Sequence, residues 1–254
     1  MPVVLPVGHF DATPHTGRLA APVTALAVVV GLVVFVGPQR FAADADATAA
    51  LGAVPAEVVA ALSQTLATPE DRLWSLSSIW TSLTAHASWA HLFYNLVALW
   101  VFGSALERAV GRGPVVGLYL GAGALAVLAQ VAVSAGSSAP IVGASGAVAA
   151  AAGAFAVTFP RSRVIVAALF LTVPVPASVA LGVWAAVEVT VGFGGGTPGV
   201  AHAAHLSGFG LGALFALLPP IRLRATKNRD SVSDDRLRNA FRPDSVTPLH
   251  AIDT

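Results

Sequence analysis

Ser145 and His205 are the two residues whose types and positions first suggest chemistry. Ser145 lies in a Gly-Ala-Ser-Gly run that begins an apolar segment whose next polar side chain is Thr158. His205 begins another apolar segment, where an imidazole is costly unless it has a partner or water. A serine hydroxyl is a poor nucleophile until a base takes its proton, and neutral histidine is the commonest such base. We therefore predict that Ser145 and His205 are partners.

A second polar pair and a set of glycines support this prediction. His91 and Asn95 are four residues apart, so they project from one face of a helix near its start. At the start of the serine's helix, free backbone N–H groups favour an oxyanion, and His91 and Asn95 offer further donors. Small residues allow helices to approach closely. Close helix packing near the site is expected at Gly143, Gly146, Gly208 and Gly212.

The composition is that of a membrane protein. The chain is 56% hydrophobic and 11% charged, with a mean hydropathy of +0.76, whereas about a quarter of a soluble domain is charged. The absence of cysteine excludes disulfides, thiolate metal sites and a cysteine nucleophile. Basic residues form no continuous face, so we expect no nucleic-acid partner.

Six apolar stretches are long enough to be spanning helices. The fourth is rich in alanine and glycine, so we expect it to be the central helix, shielded from lipid. The first is interpreted as a signal anchor, with a cleaved signal peptide as the alternative. The amphipathic pieces 54–66 and 73–83 suggest short helices lying in the interface. The predicted spans are residues 20–37, 89–107, 114–133, 144–159, 163–190 and 202–221.

Arginine and lysine positions predict the orientation. In a six-span arrangement most of these residues fall on one side, which predicts that both ends are cytoplasmic. We expect a cytoplasmic N-terminal segment (1–18), a membrane domain (19–221) with an extracytoplasmic loop (38–88), and a cytoplasmic, largely disordered tail (222–254). The residues on the cytoplasmic side would be Arg18, Arg108, Arg112, Arg161, Arg163, Arg222, Arg224, Lys227 and Arg229, against Arg40 and Arg72 outside.

Each polar feature also has a structural interpretation. Glycine and serine in a membrane helix commonly serve packing, and an intramembrane histidine can be structural or handle protons. We expect His86 and His202 to be structural, Glu188 to face water at a helix end, and Glu107 with Arg108 to cap the cytoplasmic end of the second span. The His91–Asn95 pair, Ser145 and His205 nevertheless lie at the starts of three helices that run in the same direction. This agreement favours a catalytic role over a purely structural one.

Three blocks of this sequence resemble the rhomboid intramembrane serine proteases. Residues 81–95 (TSLTAHASWAHLFYN), continued by 103–108 (GSALER), resemble the family's second-helix block. Residues 143–146 (GASG) resemble its nucleophile motif, and 204–208 (AHLSG) with Gly212 resemble its base motif. The resemblance covers roughly residues 70–221, with the blocks in the family's order.

The resemblance implies an all-α membrane protein, a six-transmembrane-helix rhomboid-like bundle. It implies a serine–histidine dyad without a third acidic member, with Ser145 as nucleophile and His205 as general base. His91, Asn95 and the Ser145 backbone N–H would form the oxyanion hole. It implies no cofactor or metal, and its partners would be transmembrane protein substrates in the lipid bilayer.

Two positions depart from the family's pattern. A Trp-Arg pair is common where this chain has Ser77 and Ser78, so we expect the loop to be anchored differently, with Trp74 or Trp80 as candidates. An aromatic residue that packs on the base histidine is common where this chain has Ala149. We therefore expect a less rigidly held imidazole and slow turnover.

The sequence thus predicts an integral, multi-pass serine endopeptidase of a bacterial cell membrane that cleaves peptide bonds in or next to transmembrane segments. One alternative is a catalytically weak or inactive rhomboid-like protein that binds membrane clients. Another is a small transporter with His91, His205 and Glu188 as a proton relay, although the chain lacks an evident inverted repeat.

Overall fold

The structure, a computed structural model, describes residues 5–10, 21–37, 50–66, 68–168 and 171–227. It is mostly helical. The helices are α1 (Pro22–Val36), α2 (Pro55–Leu62), α3 (Pro69–Thr81), α4 (Trp89–Val110), α5 (Arg112–Val133), α6 (Ser145–Thr158), α7 (Ala177–Phe193), α8 (His202–Leu217) and α9 (Pro219–Lys227). A π-helical turn, Leu118–Ala122, interrupts α5. The strands are β1 (Leu5–Phe10), β2 (Arg163–Ala168) and β3 (Leu171–Pro176).

Each of the six predicted spans overlaps an apolar helix, and the sixth also includes the start of α9, but the helices differ in length. Among the described residues, α4 and α5, each of 22 residues, are long and apolar enough to cross a bilayer. Helices α8 and α9 also qualify if they count as one span, although they meet at 70°. Helices α1, α6 and α7 are apolar but shorter. The structure therefore does not establish a count of six spans.

The predicted fifth span, 163–190, is wrong in its first half. Residues 163–168 and 171–176 form an antiparallel hairpin, with Val164 opposite Val175, and β1 pairs with the other edge of β2. Pro174 and Pro176 have no N–H to donate and disfavour helical geometry in the preceding residues, so a helix cannot run through them. They lie on an edge strand, where proline is tolerated. The all-α prediction is therefore incorrect for this three-stranded sheet.

Regular structure is also present in parts of the two segments that the prediction places outside the membrane domain. The N-terminal segment 1–18 contains β1, which pairs with β2 of the membrane domain. Residues 222–227, expected to belong to the tail, continue the helical structure in α9. The prediction of a disordered tail otherwise concerns residues outside the described ranges.

Helix α1 is fixed to α4 by a buried carboxylate. Glu107 accepts hydrogen bonds from the backbone N–H groups of Val23 (3.0 Å) and Thr24 (2.8 Å) and from the Thr24 hydroxyl (2.8 Å). These N–H groups belong to the first turn of α1, where backbone N–H groups have no acceptor within the helix. The Glu107 side chain therefore caps α1, not its own helix as predicted; only its backbone carbonyl, which accepts from the Gly111 N–H, serves α4.

The end of α3 and the start of the loop before α4 are each fixed by a hydrogen bond to a distant segment. The Thr81 hydroxyl donates to the Leu51 carbonyl (2.8 Å), and the Gly143 N–H donates to the Ser82 carbonyl (2.9 Å). Trp74 and Trp80, the expected anchors, are both about half exposed on the protein surface. The segment just before Ser145 is therefore held by a main-chain hydrogen bond to the residue that follows α3.

Helix α6 is the centre of the bundle, as predicted. Every residue from Gly146 to Phe155 is buried. Its neighbours include α4, α5, α7 and α8, and Phe155 packs on Phe102 of α4 with ring centroids 5.2 Å apart. Large apolar side chains on the outer helices are exposed instead, including Leu125, Val183 and Phe193. Such an apolar outer surface suits contact with lipid.

Candidate active site

A cavity of about 730 Å³ lies at the starts of α4, α6 and α8. Because each of these helices begins at the same end of the bundle, their first turns meet there. The four residues predicted to do chemistry all line this cavity: His91 and Asn95 from α4, Ser145 from α6 and His205 from α8. Further lining residues come from other elements, among them Gln130 of α5, Val164 of β2 and Trp184 of α7.

Ser145 is the first residue of α6. The first intrahelical bond at this end runs from the Val148 N–H to the Ala144 carbonyl, at 2.8 Å. The N–H groups of Ser145, Gly146 and Ala147 are therefore those that the helix itself leaves without a partner. Together with the helix dipole they favour negative charge at this end of α6. An oxyanion formed beside the Ser145 hydroxyl would meet this favourable field.

Gly143 brings the His91 ring next to the serine. Its φ of +118° is a conformation that favours glycine. A Cβ atom at this position would lie 2.6 Å from Cε1 and 2.7 Å from Nε2 of His91, and 3.7 Å from the Ser145 Oγ. Imidazole and hydroxyl therefore lie on the same side of this residue, and the ring occupies the space that a side chain would need.

The start of α4 orients the two other polar residues. The Ser88 hydroxyl caps the helix by accepting from the His91 backbone N–H at 3.1 Å. Asn95 is buried, and its amide donates to the His91 carbonyl at 2.9 Å. A carboxamide has a second N–H and an oxygen for other partners. Asn95 is therefore held in one orientation while it retains a further donor.

The backbones of α6 and α8 are in direct contact. A Cβ atom at Gly208 would collide with the carbonyl oxygen of Gly146, and one at Gly212 with that of Ala150. Gly153 faces the backbone of α8 in the same way. The close packing expected of Gly146, Gly208 and Gly212 is thus present, and it brings the first turns of the two helices to one end of the cavity.

The base candidate has an acidic partner that the dyad implied by the family resemblance does not include. The Glu188 Oε2 atom lies 3.1 Å from the His205 Nδ1 atom. The Glu188 side chain is only 12% exposed, so the prediction that it faces water is wrong. Trp184, one helical turn earlier on α7, lies beside the same ring with centroids 6.1 Å apart. The imidazole is therefore contacted from α7, a support that the expectation based on Ala149 did not include.

The same carboxylate binds a second histidine. Glu188 Oε2 lies 2.7 Å from the His202 Nδ1, and the His202 Nε2 accepts the Thr197 backbone N–H at 3.0 Å. His202 thereby connects the loop before α8 to α7, which is the structural role expected of it. Three possible ligand atoms, from Glu188, His202 and His205, lie within 4.8 Å of one another, so among the residues that the structure describes this group could hold a metal ion.

His86 lies behind the His91 ring. It is buried, its ring centroid is 5.1 Å from that of His91, and its Nδ1 is 3.2 Å from the Thr84 carbonyl oxygen. Burial, and then the nearby His91 imidazole, lower the pKa of His86 to about 4. The residue is therefore neutral at physiological pH and supports the loop before α4, as expected of a structural histidine.

Two residues that line the cavity and contact α8, Gln130 and Trp184, were not predicted from the sequence. The Gln130 side chain accepts the Ala203 backbone N–H at 3.1 Å and so caps the first turn of α8. The signal for it was a single amide in the apolar run 114–133. Trp184 was hidden in an apolar segment, where an aromatic residue carries no signal of its own.

The chain resembles known proteins over the region that contains these helices. A family model described as the Rhomboid domain matches residues 71–219, which is more than half of the chain. The mitochondrial rhomboid protein 1 of Saccharomyces cerevisiae is 31% identical over 159 residues, covering 58% of this chain and 42% of the relative. The rhomboid protease GluP of Bacillus subtilis is 29% identical over 136 residues, covering 54% of this chain and 24% of the relative.

The chain thus spans less than half the length of either relative. The family match includes α4, α6 and α8 in full, and with them the cavity and its four predicted residues. On this match the chain is an integral membrane protein of the rhomboid family.

Proposed function

We propose that this protein is an intramembrane serine endopeptidase that hydrolyses peptide bonds in or next to transmembrane segments. The observation that carries the proposal is the meeting of Ser145, His205, His91 and Asn95 at one cavity, from three helices far apart in the sequence. A hydroxyl nucleophile, a base and hydrogen-bond donors are the groups that acyl transfer requires.

In the proposed reaction, His205 takes the proton of the Ser145 hydroxyl while the oxygen attacks the substrate carbonyl carbon. The oxyanion that forms receives hydrogen bonds from the first N–H groups of α6 and from Asn95 and His91. The proton then passes from His205 to the leaving amine nitrogen, and the peptide bond breaks. Water later attacks the acyl-enzyme by the same route, which releases the acid product and restores the serine.

The membrane setting determines the class of substrate. An exposed apolar outer surface and family membership place the cavity within an integral membrane protein, so we propose transmembrane proteins as substrates. A helical substrate hides its carbonyl groups in its own hydrogen bonds. We expect segments with Gly, Pro or polar residues near the cut to be favoured, because they unwind at lower cost.

The topology is part of the proposal. We propose six crossings, with α1, α6 and α7 as short spans, and both ends in the cytoplasm because most Arg and Lys would then lie on that side. The cavity would face the outer leaflet of a bacterial cell membrane. The hydrogen bonds between Glu107 and the first turn of α1 support a retained α1.

The test compares Ser145→Ala and His205→Ala with the parent protein in lipid nanodiscs, using a transmembrane peptide substrate and a fluorophosphonate probe. Both variants should lose cleavage, and Ser145→Ala should also lose labelling. Ser207→Ala is a matched control, since the Ser207 hydroxyl donates to the Ala203 carbonyl of its own helix at 2.7 Å. Cleavage by Ser145→Ala at the parent's rate would refute the proposal.

The alternatives are distinguished by the same proteins. A protein that only binds membrane clients would neither react with the fluorophosphonate nor cleave the peptide, yet would retain clients in both the parent and Ser145→Ala. The contact of Glu188 with His205 also suits a proton relay. Proton flux in liposomes that survives Ser145→Ala would favour this transporter function.

A further inference from the structure

We propose that Glu188 is a positioning residue that holds His205 in the tautomer able to accept the serine proton, which makes a Ser145–His205–Glu188 arrangement. The inference rests on the proposed function, since it concerns the base of that reaction. It differs from the dyad that the family resemblance implies, in which no acidic residue takes part.

The first support is the position of the carboxylate. Glu188 Oε2 lies 3.1 Å from Nδ1 of His205. The side chains are 12% and 16% exposed, respectively, so bulk water competes little for this contact. The carboxylate contacts Nδ1, and His205 lines the cavity, so we assign the role of base to the other ring nitrogen, Nε2.

The second support is the hydrogen-bond network that fixes the protons. The Thr197 backbone N–H is a donor, so the His202 Nε2 that receives it must carry a lone pair. The proton of neutral His202 is then on Nδ1, and it is donated to Glu188 Oε2 at 2.7 Å. The assignment follows from the network, because hydrogen positions are inferred from donors and acceptors.

The same reasoning applies to His205. An ionised carboxylate only accepts hydrogen bonds, and one oxygen has lone pairs for two donors. Nδ1 of His205 must then carry a proton to make its contact with Glu188. Neutral imidazole has one N–H, so Nε2 of His205 is unprotonated and is the nitrogen that can receive a proton.

The third support is the helix that presents the carboxylate. Trp184 and Glu188 are one turn apart on α7, and both lie against the His205 ring: the ring centroids of Trp184 and His205 are 6.1 Å apart, and the carboxylate is 3.1 Å from Nδ1. Trp184 also packs on Phe209, which follows His205 by one turn on α8, with centroids 5.7 Å apart. The imidazole is therefore restrained in orientation as well as in tautomer.

In the reaction, the proton of the Ser145 hydroxyl moves to Nε2 of His205 as the Oγ–C bond forms. The Nδ1 proton stays between His205 and Glu188 throughout. The imidazolium that develops is stabilised by the adjacent carboxylate, and its Nε2 proton then goes to the leaving amine. Glu188 touches neither substrate nor the attacking oxygen, and it acts through His205.

The experiment uses full-length protein in nanodiscs with three variants on α7. Glu188→Leu removes both charge and acceptor, Glu188→Gln keeps an acceptor oxygen without the charge, and Thr190→Val is the control. The Thr190 hydroxyl donates to the Ala186 carbonyl of its own helix at 2.8 Å, away from the site. The readouts are kcat and KM on a transmembrane peptide, together with the His205 tautomer from ¹⁵N-histidine NMR.

We expect Glu188→Leu to lower kcat by about a hundredfold or more with KM unchanged, because the base is misoriented. Glu188→Gln should lower kcat at least about tenfold, and Thr190→Val should stay within about twofold of the parent. The NMR spectrum should show the Nδ1–H form of His205 in the parent and a shift towards Nε2–H in Glu188→Leu. A merely structural role would not change the tautomer.

Separate outcomes refute the two proposals. If Ser145→Ala is inactive while Glu188→Leu keeps the parent kcat and tautomer, the positioning role is wrong and the protease proposal stands. If Ser145→Ala cleaves like the parent, the protease proposal fails and the inference with it. Should Glu188→Leu fail to fold, Glu188→Gln decides, since it is nearly the same size; an unchanged kcat in that variant refutes the role.

Discussion

Gly143→Ala tests whether the observed position of His91 is required for activity. The glycine has a φ of +118°, and a Cβ atom there would lie 2.6 Å from Cε1 of the His91 ring. The Ser145 Oγ would be only 3.7 Å from the same atom. The substitution therefore changes the distance between imidazole and hydroxyl without removing either group.

The expected size of the effect follows from this geometry. The ring must retreat from 2.6 Å to about 3.4 Å to reach an ordinary contact, a shift of about 0.8 Å. Misplacing a catalytic group by about an ångström costs about a hundredfold in rate, so we expect a loss of tenfold to about a hundredfold. The unfavourable φ of alanine should also lower the free energy of unfolding by about 1–3 kcal/mol.

The assay measures initial rates of transmembrane peptide cleavage and of fluorophosphonate labelling, at a temperature where the variant is folded. Gly182→Ala on α7 is the matched control, because a Cβ atom there meets nothing within 4 Å. We expect the control to match the parent in both rates. If Gly143→Ala cleaves as fast as Gly182→Ala, the reasoning about His91 is refuted.

Three further predictions concern stability. The pKa of His86 is lowered to about 4 in the folded protein, so below pH 6.5 the unfolded chain binds a proton at this residue and the folded chain does not. The free energy of unfolding should therefore have its full value above pH 7 and be about 2 kcal/mol lower at pH 5. Thermal unfolding at both pH values should show a smaller loss of stability for His86→Gln than for the parent. An equal loss in the two proteins would contradict the prediction. Glu107→Leu should destabilise the protein by about 2–4 kcal/mol, because three donors at the start of α1 lose their acceptor; an unchanged unfolding temperature would exclude the cap. Gly212→Ala should lower the free energy of unfolding by about 2 kcal/mol or more and reduce cleavage, because its Cβ atom would collide with the Ala150 carbonyl. A Cβ atom at Gly210 meets nothing within 4 Å, so Gly210→Ala should do neither.

The candidate residues could be predicted because polar groups are costly in apolar segments. Ser145, His205 and Asn95 each stand where such a residue needs a specific reason, and their helices run in one direction. The spacing of Gly208 and Gly212 also predicted correctly which face of α8 packs closely. These are local patterns, so one sequence is enough to reveal them.

The role of Glu188 could not be predicted, because its partners depend on how two helices meet. It lies 17 residues before His205, across a glycine-rich loop that sets no fixed register between α7 and α8. The Glu107 carboxylate is a similar case, since it caps a helix 83 residues away. Long-range hydrogen bonds of this kind leave no periodic trace in the sequence.

The error in the fifth span was avoidable in part. The Val-Pro-Val-Pro run at 173–176 contradicts a helix, although the whole of 163–190 is apolar enough to resemble a spanning segment. The pairing of β2 with β1 was not readable, because the strands are more than 150 residues apart and carry no register signal.

The contact of α6 with α8 through main-chain atoms has an evolutionary consequence. Where side chains fill an interface, a change on one helix can be answered by a change on the other. Where a backbone carbonyl packs against the Cα atom of a glycine, no compensating change is possible, because a substitution alters the side chain and not the peptide group. We therefore expect outward-facing residues of α8, such as Leu214, to vary widely, while Gly208, Gly212 and Gly153 leave no room for a side chain unless the backbone shifts.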